Sequence, residues 1–223
     1  NRGERCCAPH NSRVTAGKLL TEAVIKANIK PKIFIQSSAI GIYGTSSHNV
    51  FTEKSSTGSD YLSGVAKIWE DSSKPVEDMG IKRAVIRTGV VLDPKEGALA
   101  RMLLPFRLFV GGPIGSGRQW LSWIHLQDEV AAIKFLIEKQ LSGVFNLTSP
   151  NPVQNAEMGR QIARVLNRPY WMPVPGFALK SILGEMSVLV LEGQKVLPES
   201  LLTAGFTFKY PDLPDALKNI LGK

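Results

Sequence analysis

Cysteine is nearly absent: two in 223 residues, and Cys6 and Cys7 stand side by side. Adjacent cysteines cannot staple distant segments, and no cysteine and histidine set has zinc spacing. The three histidines are scattered. The chain therefore reads as reduced, cytosol-like and without a metal. Long apolar runs are missing too. None reaches the roughly 20 residues that span a bilayer, and NRGERCCAPH at the start lacks the apolar stretch of a signal peptide. The expectation is a soluble protein of the cytoplasm, or of an organelle stroma or matrix in a eukaryote, with no membrane partner. Arginine-rich blocks and RNA-binding signatures do not occur. The net charge of +8 invites a nucleic-acid reading. Yet the 27 Lys and Arg are dispersed, several beside acids such as Glu138 next to Lys139. A basic surface or a phosphate-bearing ligand accounts for the charge, and no nucleic-acid partner is expected.

What is present suits an ordinary globular core, with 43% hydrophobic and 21% charged residues. The length allows one large domain, or one and a fraction. Leu19, Leu20, Ala23, Val24 and Ala27 recur at helical spacing, predicting a helix over 12–28 that Pro31 ends. KIFIQSS follows as a strand. A helix is predicted over 60–79, with Leu62, Val65, Ala66 and Trp69 on one face and Gly80 as its stop. IKRAVIRTGVVL at 81–92, WLSWIH at 120–125 and GVFNLT at 143–148 read as strands, with a helix over 128–139. Strands alternating with helices imply βαβ units and a mostly parallel sheet, with ligands at the strands' carboxyl ends. Beyond Pro150 the texture turns helical. Asn155 is placed as the cap of a helix, further helical patches fall at 177–184, 185–193 and 198–204, GFTFKY is strand-like, and 212–221 is a last helix.

Four stretches resemble the second half of an extended short-chain dehydrogenase/reductase, the superfamily of nucleotide-sugar epimerases and dehydratases. They are SSAIGIYG at 37–44, IRTGVVL at 86–92, GSGRQWLSWIHLQDEVAA at 115–132 and NLTSPNPVQNAEM at 146–158. The last, with RPYWMPVP at 168–175 and VLEGQKVLP at 190–198, is similar to one branch, the SulA-type or "epimerase family" proteins, often labelled cell-division inhibitors. The resemblance runs from Ser12 onward. It implies an α/β fold: a Rossmann-like, mostly parallel sheet, incomplete at the N-terminus, over 1–149, and a smaller, mainly helical substrate-side lobe over 150–223. The superfamily opens with a glycine-rich GxxGxxG turn and a helix that holds the dinucleotide pyrophosphate. That region, roughly 70 to 90 residues by superfamily analogy, has no counterpart here, as in an incomplete record or a true short form.

The superfamily uses a tyrosine with a lysine four residues later as its proton-transfer pair. Tyr61 and Lys67 are six residues apart, about 240° around a helix, and cannot converge. Four before Lys67 stands Ser63. Where Glu70 anchors the family register instead, the pair falls on Leu62 and Ala66. Neither frame contains the dyad, as is common in the SulA-type branch.

The resemblance implies Ser38, at a strand's carboxyl end, as the serine beside the reacting carbon; the alternative is a hydroxyl capping the next turn. Tyr43 either supplies a phenol from the substrate side or packs. These two are the catalytic candidates. Arg13 matches an arginine near the dinucleotide, where its guanidinium would fork a phosphate, or it is a solvated charge. Ser37, Gly89 and Val91 complete the cofactor set, Gly89 by letting backbone approach a ring. Gly115 and Gly117 turn Arg118 toward a pocket, and Arg118 and His125 are the substrate candidates. Trp120 and Trp123 are assigned to the core. The resulting expectation is an NAD(P)-dependent oxidoreductase or epimerase of unknown small-molecule substrate, using NADP (or NAD), with a homodimer possible. The alternative is a non-catalytic, nucleotide-dependent regulator of cell or plastid division.

Overall fold

The computed structural model describes residues 3–173 and 193–222. Helix α1 (Gly3–Lys26) is followed by strand β1 (Ile33–Ala39), a 3-10 turn (Ile40–Tyr43), β2 (Val50–Phe51), α2 (Tyr61–Asp71) and a second 3-10 turn (Lys74–Met79). Then come β3 (Lys82–Thr88), β4 (Val90–Leu92), α3 (Gly97–Arg107), β5 (Trp120–Leu121), β6 (Trp123–His125), α4 (Leu126–Lys139) and β7 (Gly143–Leu147). The chain closes with β8 (Val153–Gln154), α5 (Asn155–Leu166), β9 (Lys195–Val196), α6 (Glu199–Thr203) and α7 (Leu213–Leu221).

The main sheet has the order β1-β3-β7, and both pairings are parallel. Central β3 runs KRAVIRT, with Arg83 through Arg87 all buried. Period-two alternation sends Arg83, Val85 and Arg87 to one face and Ala84, Ile86 and Thr88 to the other. Ala84 and Ile86 pack with Ala132 and Leu136 of α4, Phe145 and Leu147 of β7, and Leu201, Phe206 and Phe208. A second core joins Leu92, Leu99, Leu103, Phe106 and Trp123 to Met158 and Ile162 of α5 and Leu213 and Leu217 of α7. Both cores thus draw on residues from either side of position 150. The architecture is α/β and Rossmann-like, as the sequence led one to expect.

Several elements differ in detail. Helix α1 begins well before Ser12, and its docking face is Gly17 and Thr21, not the leucines: Leu19 and Leu20 are exposed. A side chain at Gly17 would collide with Ser72 beyond the end of α2, and Thr21 donates to the Gly17 and Ser72 carbonyls at 2.8 and 3.2 Å. The helix predicted over 60–79 breaks after Asp71, because Pro75 has no N–H for a continued ladder. Helix α3 was not foreseen; Pro105 lies inside it and Gly97 begins it, which disguises the buried Leu99, Leu103 and Phe106. GFTFKY forms no strand. Its backbone N–H groups at Lys209 and Tyr210 donate to the Asp128 carboxylate at 2.8 and 2.9 Å, so a side chain answers them where a neighbouring strand would have. The cap of α5 is Gln154, not Asn155, which is the first helical residue. The patches expected at 177–184 and 185–193 lie, apart from Gly193, outside the described residues. Among the described residues no helix is long and apolar enough to cross a membrane, and no three His, Cys, Asp or Glu side chains gather as a metal site requires.

Gly89 is the joint between the two sheets. Its N–H donates to the Leu147 carbonyl at 3.0 Å, and the Val90 N–H donates to the Ser122 carbonyl at 2.8 Å, seating β4 beside β6. A Cβ at Gly89 would lie 2.5 Å from the Ser122 oxygen and 2.8 Å from Thr148 Cγ2. The Gly89→Ala variant is expected to lose about 1–3 kcal/mol, the usual cost of overpacking. Chemical denaturation against the parent measures it.

Candidate functional site

A cavity of about 340 Å³ opens at the carboxyl ends of β1 and β3, within the roughly 300–1,000 Å³ range of small-molecule and cofactor sites. Three walls form it. Ala39 ends β1 and leads into Ile40 and Gly41, and Thr88 ends β3 and leads through Gly89 to Val90. Leu62, Val65, Ala66 and Trp69 come from α2, with Arg13 of α1 beside them. Trp120, Leu121, Gly193 and Gln194 close the far side.

The α2 wall explains why the apolar face of that helix is not fully buried. Asp60 starts the helix by accepting from the Ser63 N–H at 2.8 Å. From there Leu62 and Ala66, four residues apart, point the same way as Val65 and Trp69. Tyr61 and Lys67 are exposed and do not line the cavity. Leu62 and Ala66, the two positions that the Glu70 frame singles out, both line the cavity.

Behind this wall runs a buried polar chain. The Arg87 guanidinium donates Nε and Nη2 to the two Glu70 carboxylate oxygens at 2.8 and 2.9 Å. Ser38 Oγ donates to Glu70 Oε1 at 2.6 Å. Arg87 Nη1 donates to the Tyr43 hydroxyl at 2.9 Å, which in turn donates to Asn146 Oδ1 at 2.7 Å. Arg83 continues the chain, donating to Ser73 Oγ, to Glu77 and to the Glu70 carbonyl. Burial lowers the Arg87 pKa, but the Glu70 hydrogen bonds and Tyr43 more than reverse that, leaving it above its ordinary value. Burial likewise raises the Tyr43 hydroxyl, against the opposing Arg87 charge.

The structure therefore distributes the sequence candidates unevenly. Arg13 and Gly89 line the cavity, with the Arg13 guanidinium 5.4 Å from the Trp69 ring centre. On β4 it is Val90 that lines the cavity, whereas Val91 packs against the main core. Ser37 is exposed on the face of β1 that also carries Ala39. Ser38 and Tyr43 are buried and committed to the Glu70–Arg87 chain, and neither lines the cavity. His125 is buried away from it. Its Nδ1 accepts from the Gln127 N–H at 3.0 Å, so Nε2 carries the hydrogen toward Asn219 Oδ1 at 3.1 Å. The ring stacks on Tyr210 with centres 4.1 Å apart, and burial lowers its pKa, opposed by Asn219. Gly115 and Gly117 have positive φ, as expected of the turn, and Arg118 stands exposed beside them. Trp123 is core, but Trp120 borders the cavity, with the Lys195 ammonium 4.7 Å from its ring centre.

Sequence reasoning missed Thr88 and Glu129. Thr88 borders the cavity, and its hydroxyl donates to Glu129 Oε1 at 2.9 Å. Glu129 sits in the first turn of α4, 8% exposed, and its Oε2 is buried without a partner. Burial pushes its carboxyl up to about 7, against the lowering effect of the Thr88 hydrogen bond. The only cue in the sequence is an acidic pair, Asp128 and Glu129, opening a helix, where acids ordinarily complement the helix dipole.

Comparison with known proteins bears on this geometry. Residues 174–220 match the model of a domain of unknown function, DUF1731. The epimerase family protein YfhF of Bacillus subtilis is 46% identical over 213 residues, which make up 95% of this chain and 70% of that protein. The chain belongs to the epimerase family. The chloroplastic epimerase family protein SDR39U1 homolog of Arabidopsis thaliana is 47% identical over 196 residues, covering 87% of this chain and 56% of its own length. Among solved structures, that of human epimerase family protein SDR39U1 (isoform 2) with NADPH superposes with a TM-score of 0.91 at 34% identity. It covers 96% of this chain and 73% of the human one.

Two outcomes follow for this epimerase family chain. Glu70→Ala leaves the buried Arg87 charge unpaired and is expected to cost about 3–5 kcal/mol, read from denaturant unfolding. Glu129 has a folded pKa raised above its unfolded value. The fold thus holds the proton more tightly, and stability declines as pH rises from about 4.5 to about 7, then levels off. At about 1.4 kcal/mol per pKa unit the decline is at most about 3.5 kcal/mol. Glu129→Gln is expected to flatten that segment of the stability–pH curve.

Proposed function

We propose that this protein binds a nicotinamide dinucleotide, NADP(H) in preference to NAD(H), and acts as an oxidoreductase or epimerase on a small molecule without the Tyr–Lys dyad. The observation that carries this is the cavity at the carboxyl ends of β1 and β3, the position at which open α/β sheets hold ligands. The donors present suit such a cofactor. Arg13 offers a forked guanidinium for a phosphate, Gly89 and Gly41 keep the rim free of side chains, and Leu62, Val65 and Trp69 give an apolar wall for a ring. The human relative's structure with NADPH supports the same choice. The cofactor, when bound, supplies hydride. The chain's own residues exclude water from the α2 side, orient the ring and hold the phosphate. The substrate enters from the side bounded by Trp120 and Gln194, and β8, paired with β5, supports that wall.

In this reading Arg13, Ser37 and Gly89 form the cofactor side. Ser38 and Tyr43 act by fixing the β1 end through Glu70 and Asn146, Arg118 approaches the substrate from the glycine turn, and His125 holds the start of α4. The apolar pair Leu62 and Ala66 also favours a second reading, a nucleotide-dependent regulator, as in the cell-division proteins of SulA type, that keeps the pocket without turnover. Fluorescence titration with NADPH separates the cases. Saturable binding is expected, weakened about tenfold by Arg13→Ala through loss of one charge-assisted contact. Failure of the parent protein to bind NADPH overturns the proposal. Binding with no NADPH consumption across a panel of carbonyl compounds decides for the regulator.

A further inference from the structure

We propose that Thr88 and Glu129 form a two-residue proton relay into the cavity, with Thr88 the group that touches the ligand and Glu129 the proton store behind it. The proposal rests on the cavity reading above. It starts from a deficit. The α2 wall, where a proton donor would stand, presents Leu62, Val65 and Ala66, none of which can move a proton. Ser38 and Tyr43 are turned into the buried Glu70–Arg87 chain. Of the remaining described lining side chains, Thr88 has a hydroxyl backed by a carboxyl group.

Register explains the placement. Thr88 ends β3 opposite Ala39 of β1 and Leu147 of β7, on the face that α4 covers. Its side chain thus reaches both the cavity rim and the first turn of α4. Glu129 meets it there, more than nine-tenths buried, with one oxygen on Thr88 and the other on nothing. A carboxylate so placed would forgo the hydrogen bonds that make a buried charge tolerable; a neutral acid does not. Neighbouring charges do not rescue the ionised form, since each is engaged elsewhere. Asp128 accepts from the Lys209 and Tyr210 N–H groups, and the Lys209 ammonium donates to Gln127. Arg87 is on the opposite face of β3, on Glu70, and His125 is on Asn219. Burial accordingly holds the carboxyl protonated up to about pH 7.

The step is a single proton passed in two hops. With the carboxyl protonated on the oxygen facing Thr88, the hydrogen bond between them reverses: Glu129 donates to Thr88 Oγ and the Thr88 O–H turns to the ligand. The Thr88 O–H bond then breaks as its hydrogen moves to an oxygen of the ligand, and the Glu129 O–H bond breaks as its hydrogen moves to Thr88 Oγ. Thr88 ends as it began, and Glu129 ends as a carboxylate. No electrons change hands between these residues, and the reverse sequence removes a proton from the ligand.

Two measurements test the relay. Infrared spectroscopy across a pH titration should show a protonated carboxyl band that fades near pH 7, is absent from Glu129→Gln, shifts in Thr88→Val and returns in Thr88→Ser. Calorimetric titration with NADPH in buffers of different ionisation heat should show net proton exchange near neutrality. That exchange should be lost in both Glu129→Gln and Thr88→Val. Glutamine still accepts the Thr88 hydrogen bond, so a purely structural contact would leave proton exchange unchanged in Glu129→Gln. An ionised Glu129 throughout the titration, or proton exchange that survives either variant, overturns the relay. Should the parent protein fail to bind NADPH, the cofactor reading falls, and the infrared titration still decides the state of the Thr88–Glu129 pair.

Discussion

The arrangement depends on one buried ion pair, Glu70 with Arg87. Both Glu70 oxygens and two Arg87 nitrogens are engaged, so each charge is answered where little water reaches. The pair joins the end of α2 to the central strand, and its hydrogen bonds extend through Ser38 to β1 and through Tyr43 and Asn146 to β7. Helix α2 cannot rotate about its axis without breaking it. That rotation would decide which α2 residues face the cavity, so the ion pair sets the chemistry of a wall it does not touch. Placing charge inside a fold is costly unless every hydrogen-bonding group finds a partner. Here the partners are what align three strands and a helix.

The same chain of contacts separates serine and tyrosine from the chemistry that their sequence context suggests. SSAIGIYG places Ser38 and Tyr43 near a reactive centre by resemblance; strand alternation turns Ser38 inward to Glu70, and the 3-10 turn buries Tyr43 beside Arg87. Ser37 and Ala39 share one face of β1, while Gln36 and Ser38 are buried on the other. The Tyr43 ring stacks on Phe51 at 5.5 Å between ring centres and lies under the Arg87 guanidinium. A hydroxyl gripped on both sides stiffens a site and is poorly placed to exchange protons with a ligand.

Much of the architecture was legible because periodicity reports burial directly. The apolar runs of β3 and β7 and the spacing in α4, α5 and α7 were enough for a parallel sheet with helices. Legibility failed where a side chain replaced an expected backbone partner, as Asp128 does for residues 209 and 210. It failed again at α3, where Pro105 reads as a breaker but sits in a helix packed through Leu99, Leu103 and Phe106. At the site, the α2 stripe of Leu62, Val65, Ala66 and Trp69 was visible as a face, but periodicity cannot distinguish a core from the lining of a cavity. Thr88 and Glu129 are 41 residues apart. Nothing local in either segment announces that they meet.

The far wall of the cavity is built on different terms. Trp120 and Leu121 form a two-residue ladder with Gln154 and Val153, and the Ser122 hydroxyl bridges the Gln194 carbonyl and the Val196 N–H. Gly193 passes so close to the Trp120 carbonyl that no side chain fits between them. The residues of this wall that line the cavity are uncharged, its ladder is short, and it is remote in sequence from the ion pair. Divergence within the family could therefore reshape what the cavity admits by exchanging residues on this flank. The charged hub that keeps the protein folded would remain as it is, so new ligand preference and retained foldedness can evolve on separate parts of one small molecule.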